Sequence, residues 1–246
     1  MKTYRADFHI HTVLSPCGDL DMSPKNIIKR AKEKKLDIIG ITDHNSTKQC
    51  AVMKKIGNEN GIFVLTGVEI TTKEEAHCLA FFENKEKLLK FQNYIEQYLP
   101  NIKNNVNLFG YQVVVDENDN IIEQIDSLLI SAISQSISQI EEKVHSLEGL
   151  FIPAHINKLK NSIISQLGFI PQDLNIDALE ISKRTTKKKF LEKNNYLKQH
   201  SFIQSSDAHY IENIGDVSTK IKMRRISFNE IKKALANQDG RTTIVE

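Results

Sequence analysis

Residues 6–11 read Ala6-Asp7-Phe8-His9-Ile10-His11, a short apolar run in which two imidazoles flank an isoleucine. A strand's period of two points His9 and His11 to the same side and leaves Ile10 facing a helical layer, so two ring nitrogens converge on one spot. A single His-x-His is a weak metal signal, because polar residues alternate along any half-solvated strand. What surrounds it decides how it is read.

Six further apolar runs, at 37–42, 62–70, 77–82, 150–154, 178–181 and 202–205, have the length and composition of core strands. Between them lie helical patterns at 24–35, 47–58, 85–98, 123–147, 186–200 and 229–237, the first with Ser23 at the N-cap and Pro24 at the first helical position. The order is mostly strand then helix, which predicts an α/β fold built as a distorted, seven-stranded parallel β/α barrel. Residues 110–122 break the alternation as a small hairpin around the turn 116–120, within an excursion spanning about 100–148. The excursion has two readings, a cover over the barrel mouth that selects substrate or a segment packed on its flank. No fixed-period repeat or linker divides the chain, so residues 1–246 are expected to form one domain.

The 246 residues are enough for a large core, and 40% hydrophobic with 26% charged residues is ordinary globular composition. Thirty-three basic against thirty-one acidic residues leave a net charge of +2, too near neutrality to predict an acidic membrane or nucleic acid as partner. Three cysteines, Cys17, Cys50 and Cys78, show no paired spacing, which argues against a disulfide framework. No apolar leader and no stretch of membrane-spanning length is visible, so a cytoplasmic setting is expected.

The chemistry collects at strand ends. Thr42-Asp43-His44-Asn45 closes the second strand, Gly67-Val68-Glu69-Ile70 the third, His77 opens the fourth, Pro153-Ala154-His155 follows the fifth, and Ser206-Asp207-Ala208-His209 the seventh. Six of the eight histidines thus stand at strand positions, whereas His145 and His200 fall within helical patterns. In parallel β/α barrels the C-terminal strand ends share one mouth, so these residues would converge. Each histidine alone is better explained as a hydrogen-bonded core residue. Several imidazoles and carboxylates packed together without a cation would carry unpaired polar groups and like-charge repulsion. Histidine and carboxylate donors without thiolates fit Zn, Mn or Fe, and Glu69 is the candidate bridge between ions. Asp7 and Asp43 neighbour these donors and read either as carboxylates that orient imidazoles or as turn and surface groups.

The segments DFHIHTVLSPCGD (7–19), ITDHN (41–45), GVEI (67–70), EEAHCLAFF (74–82), PAHIN (153–157) and SSDAH (205–209), in this order and spacing, resemble the polymerase and histidinol phosphatase (PHP) superfamily of metal-dependent phosphoesterases. The resemblance covers nearly the whole chain. It implies a distorted seven-stranded barrel with two or three divalent ions. His9, His11, Glu69 and Asp207 would hold the first ion, Glu69 with His77 and His155 the second, and Asp19, His44 and His209 the third. The loop at 14–21 also offers Asp21 and Cys17 as rivals to Asp19.

Clustered divalent ions bind phosphoryl oxygens and lower the pKa of bound water, so the expected reaction is attack of a metal-bound hydroxide on phosphorus, with no protein nucleophile. His209, Asp207 or a metal-bound water are the candidates for protonating the leaving group. Asn157, Lys158, Lys183 and Arg184 follow the fifth and sixth strands and are candidate phosphate-binding residues. The substrate expected is a small phosphomonoester or nucleotide. The alternatives are a nuclease acting on short oligonucleotides, with modest support from the basic segments 187–189 and 220–225, and a non-catalytic metal-binding PHP module. A carbon–nitrogen amidohydrolase on a similar barrel fits the six segments less well.

Overall fold

All seven expected core strands form in the computed structural model, which describes residues 1–245. In chain order the first elements are β1 (Lys2–Ile10), α1 (Pro24–Glu33), β2 (Ile38–Ile41), α2 (Cys50–Glu59), β3 (Phe63–Thr71), β4 (His77–Phe82) and α3 (Lys85–Tyr98). The excursion contributes α4 (Val106–Phe109), β5 (Val113–Val115), β6 (Ile121–Gln124) and α5 (Ile137–Ser146). There follow β7 (Leu150–Pro153), α6 (Ile163–Leu167), β8 (Leu179–Ile181), α7 (Lys187–Lys193), β9 (Phe202–Gln204), β10 (Thr219–Met223), α8 (Phe228–Leu235) and β11 (Thr242–Ile244).

The main sheet has seven strands in the order β11-β10-β1-β2-β3-β4-β7, and β8 and β9 form a separate parallel pair. The sheet is a curled half-barrel, and it corrects the expected closed parallel barrel in two respects. First, β1, β2 and β3 run parallel, but β3–β4 and β4–β7 are antiparallel. Only residues 72–76 join β3 to β4, far short of the dozen or more that a parallel crossover needs. Second, β8 and β9 are three residues each and are tied to the main sheet by isolated bonds, such as Ile156 N–H to Glu180 O and His11 N–H to Ala208 O.

The reversals do not scatter the strand ends. Because β4 runs against β3, its first residue His77 pairs with Thr71, and because β7 runs against β4, Pro153 pairs with Cys78. The ends of β1, β2, β3 and β7 and the start of β4 therefore share one rim. Gly40 lets β2 approach β1 closely: a Cβ there would lie 2.2 Å from Phe8 O. One apolar cluster packs Ile10, Ile39 and Ile41 against Ile27, Ile28 and Ala31 of α1 and Met53 of α2, and a second joins Phe8, Leu65, Phe81 and Ile152 to Ile231 of α8. Burying each such side chain contributes about 1.5–3 kcal/mol, so the rim rests on a firm floor.

The helix expected over 186–200 ends at Lys193, and two further expectations change. The helix expected over 123–147 starts only at Ile137, where Ser136 and Gln139 form a reciprocal capping box, and β6 takes the front of that range. The basic segment 220–225 belongs largely to β10, whose Thr219, Ile221 and Met223 are buried while Lys220 and Lys222 are exposed. No helix among the described residues is long and apolar enough to cross a membrane.

Candidate metal centre

His9 of β1 and His11, just past its end, meet Glu69 of β3 and Asp207 from the loop after β9. His9 Nε2 and His11 Nε2 are 3.1 Å apart, each lies 3.4 Å from Asp207 Oδ1, and they lie 3.4 and 3.3 Å from Glu69 Oε2. A tetrahedral ion with bonds of about 2.0–2.1 Å needs donor atoms about 3.3–3.4 Å apart, so these spacings fit the edges of such a coordination sphere.

Two more donor groups share members with the first: His44, Glu69 and His77, and His11, His44 and His209. Glu69 belongs to two of the three groups. Its Oε1 lies 2.9 Å from His77 Nδ1 and 3.1 Å from His155 Nε2, while its Oε2 faces His9, His11 and His44. His44 Nδ1 comes within 3.2 Å of Glu69 Oε2 yet makes no hydrogen bond, and His155 Nδ1 also lacks a partner. Buried polar atoms are nearly always satisfied, so the unpaired His44 Nδ1 beside a carboxylate is what a site able to take a cation presents, whereas His155 faces Glu69 with its paired Nε2.

The donors are held from behind. Glu180, in the middle of β8, accepts from His9 Nδ1 at 3.0 Å and from the His155 backbone N–H at 2.9 Å, fixing two candidate ligands at once. Sequence reasoning passed over it; the signal was a single carboxylate inside the apolar run Ala178-Leu179-Glu180-Ile181. Asp43 accepts from the Thr12 backbone N–H and from the Ser15 hydroxyl, which lies 2.9 Å from His11 Nδ1, so it orients that imidazole through Ser15. Asp7 touches no imidazole. It accepts from the Ser206 and Gly215 backbone N–H groups and braces the loop that carries Asp207. His155 and Asp207 have φ of 31° and 53°, left-handed backbone that costs a non-glycine residue energy and persists where its surroundings fix it.

Electrostatics agree with a cation site. Burial pushes His44 and His155 down, and burial with the neighbouring His11 pushes His209 to about 4, leaving these rings neutral with lone pairs free. Burial works against charge on Glu69 and Asp207, but surrounding groups, His77 first for Glu69 and His9 first for Asp207, hold both well below the usual carboxylate range. His9 is held well above the ordinary imidazole value despite its burial, chiefly by Glu180 and Glu69. Without a cation, a proton on His9 offsets carboxylate charge that a divalent ion would otherwise neutralise.

The family profile of the PHP domain matches residues 7–212. The chain belongs to the PHP domain family. Among curated relatives, YqxK of Bacillus subtilis is 24% identical over 99% of this chain and 65% of its own length. Among solved structures, the lesion-specific endonuclease PfuEndoQ of Pyrococcus furiosus aligns with a TM-score of 0.73 at 19% identity, covering 98% of this chain and 58% of that one. A protein of Bifidobacterium adolescentis assigned as a metal-dependent phosphoesterase aligns with a TM-score of 0.60 at 18% identity, covering 94% of this chain and 95% of that one. The aligned segments cover 52% and 65% of the lengths of two curated relatives, the first over only 33% of this chain. The His/Glu/Asp groups that could hold a metal ion all lie within the residues that the family profile matches.

The four candidate phosphate binders separate. Lys158 lines a cavity of about 220 Å³ together with His44, Glu69, His77, His155, Asp207 and His209, and pairs with Asp207 Oδ2. Asn157 instead ties the loop after β7 to Ser182, Lys183 is exposed and paired with Asp216, and exposed Arg184 does not line the cavity. Lys160 and Asn161 do line it and were not singled out by their position in the sequence. Asp19 shapes its own loop: Oδ1 accepts from Asp21 N–H, and its backbone N–H donates to His209 O. Among the described residues, the three donor groups contain none of Asp19, Asp21 and Cys17.

Proposed function

We propose that this PHP domain hydrolyses a small phosphomonoester or nucleotide, with two or three divalent ions held by His9, His11, Asp19, His44, Glu69, His77, His155, Asp207 and His209. The observation that carries the reading is the convergence of His9, His11, Glu69 and Asp207 at tetrahedral spacings beside a lysine-bearing cavity. When bound, the ions supply Lewis acidity toward phosphoryl oxygens and an ionised water at neutral pH. Lys158 supplies a positive charge at the cavity wall for the equatorial oxygens as negative charge grows on them. Glu180 and the Asp43–Ser15 pair keep His9 and His11 from rotating. Asp207 and His209 each belong to a group of donor atoms that could hold an ion, which supports donor roles for them over proton delivery to the leaving group.

The second reading is a nuclease. Its support is the likeness to endonuclease Q, also solved with a 27-mer duplex bearing an abasic lesion at its active site. Against it stands the net charge of +2, which gives no strong phosphate-backbone footprint. A phosphate-release screen on small phosphomonoesters, run beside an electrophoretic assay of strand cleavage on short oligonucleotides, both with protein loaded with Mn, Zn or Fe, separates the readings. Monoester turnover insensitive to salt is expected. Cleavage of oligonucleotides alone, falling steeply with salt, would favour the nuclease, and no turnover by protein shown to hold metal would overturn both.

A further inference from the structure

Asn45 follows His44 in the chain and is wholly buried. Its backbone has φ 44°, left-handed geometry that asparagine tolerates better than most residues. From there it reaches three parts of the molecule. Its backbone N–H donates to Glu69 O at 2.9 Å and Glu69 N–H donates to Asp43 O at 3.1 Å, so the backbones that carry His44 and Glu69 are laced together on both sides of His44. Its Oδ1 accepts from Thr71 N–H at 3.2 Å, at the end of β3. Its Nδ2 donates to Leu129 O at 2.7 Å and to Ser131 O at 2.8 Å, in the excursion.

The excursion is held there by other bonds too. Leu129 packs with Leu14 and Val114, its N–H donates to Gln112 Oε1 at 2.9 Å, and Ile133 N–H donates to Thr71 O at 2.9 Å. With both ends of its amide engaged in a buried setting, Asn45 has one arrangement, and losing it would strand two carbonyls and an N–H. On the donor side, His44 Nδ1 stands 3.2 Å from Glu69 Oε2. A close-packed interior transmits displacement, so a shift of residues 129–131 passes through one side chain to two candidate ligands.

We propose, resting on the metal-centre reading above, that Asn45 is a positioning residue that couples the ion to the excursion. An ion held by His44 and Glu69 fixes Asn45, and Asn45 fixes residues 129–131. Such coupling is reciprocal: what the excursion adds to ion affinity, the ion returns to the order of the excursion. Gln49 supplies the contrast. It is equally buried and also exchanges two hydrogen bonds with the excursion, Nε2 to Val115 O at 3.0 Å and Oε1 from Val115 N–H at 2.9 Å, but those bonds do not involve the end of β3.

The test is amide hydrogen exchange, read by mass spectrometry on the full chain with and without saturating Zn or Mn, in wild type, Asn45→Gly and Gln49→Ala. Glycine keeps the left-handed backbone and the N–H to Glu69, and deletes only the side-chain links. In wild type the ion is expected to slow exchange over residues 129–133 about tenfold, an effect that falls below about twofold in Asn45→Gly and persists in Gln49→Ala. Metal titration of Asn45→Gly should show about tenfold weaker binding. Wild type that binds metal without slower exchange there, Asn45→Gly that keeps the slowing or the affinity, or Gln49→Ala that loses the slowing as fully, overturns the coupling alone. Wild type that binds neither ion overturns the metal-centre reading, and this inference with it. The wild-type comparison stands whether or not either variant folds.

Discussion

The PHP domain holds two kinds of histidine, and the contrast between them shows what identifies a metal site. His145, on α5, is saturated: Nδ1 lies 2.5 Å from Glu141, Nε2 lies 3.0 Å from Asp177, and the same Asp177 oxygen accepts from Phe151 N–H. Its hydrogen bond to Asp177 raises its pKa above the ordinary imidazole value. At the rim, by contrast, His9 and His11 turn Nε2 toward one another, and His44 and His155 each keep a nitrogen without a partner. Carboxylates stand near histidines in both places. In the first they complete the imidazole; in the second they gather with several imidazoles into groups that could hold a metal ion.

The largest expected effect follows from removing the shared post. Glu69→Gln keeps the shape and removes the charge that faces His9, His11, His44, His77 and His155, and it should lower metal affinity by more than about 100-fold, beyond the range seen for groups that only orient a ligand. Calorimetric metal titration checks it. Glu180→Gln leaves the donor set intact but loosens His9 and His155, so the same titration should show a loss of about 10–100-fold. An unchanged affinity there would mean that the rim holds its own geometry.

How much of this was legible follows from what each feature depends on. Local patterns showed themselves: the seven apolar runs, the strand-end histidines and the 110–122 hairpin all appear in the structure. Sheet direction depends on connections, and the five residues between β3 and β4 were short enough to forbid a parallel crossover. The alternation of Thr219, Lys220, Ile221, Lys222 and Met223 had the period of a strand, but its lysines drew the reading toward a basic patch. Ile130, Ile133 and Ile137 have helical spacing although the chain is irregular before Ile137, because Asn45 Nδ2 binds the Leu129 and Ser131 carbonyls and Ile133 N–H binds Thr71 O. Those partners lie far away in sequence. Lys160 and Asn161 belong to the same class, since only the folded loop brings them to the cavity.

Smaller effects test the other side of the comparison. His145→Gln should cost about 1 kcal/mol of stability, the worth of one buried hydrogen bond, and leave metal affinity unchanged. A histidine whose folded pKa is raised contributes stability that is fully present below its unfolded value, near 6.5, and is lost as pH rises through the folded value. The gap in urea midpoint between wild type and His145→Gln should therefore be wide at about pH 5.5 and narrow at about pH 8.5. A gap that widens with pH would assign the stabilisation elsewhere. Smallest of all, Lys183→Ala should change KM for a phosphomonoester by less than about twofold, because that lysine is exposed, paired with Asp216 and absent from the cavity wall.

Elemental analysis of the purified chain, equilibrated with Mn, Zn or Fe and then desalted, tests the central claim most directly. Retention of two or three ions per chain is the predicted result. A chain that retains none under any of the three metals would show that the unpaired imidazoles at the rim are not ligands, and would contradict the account.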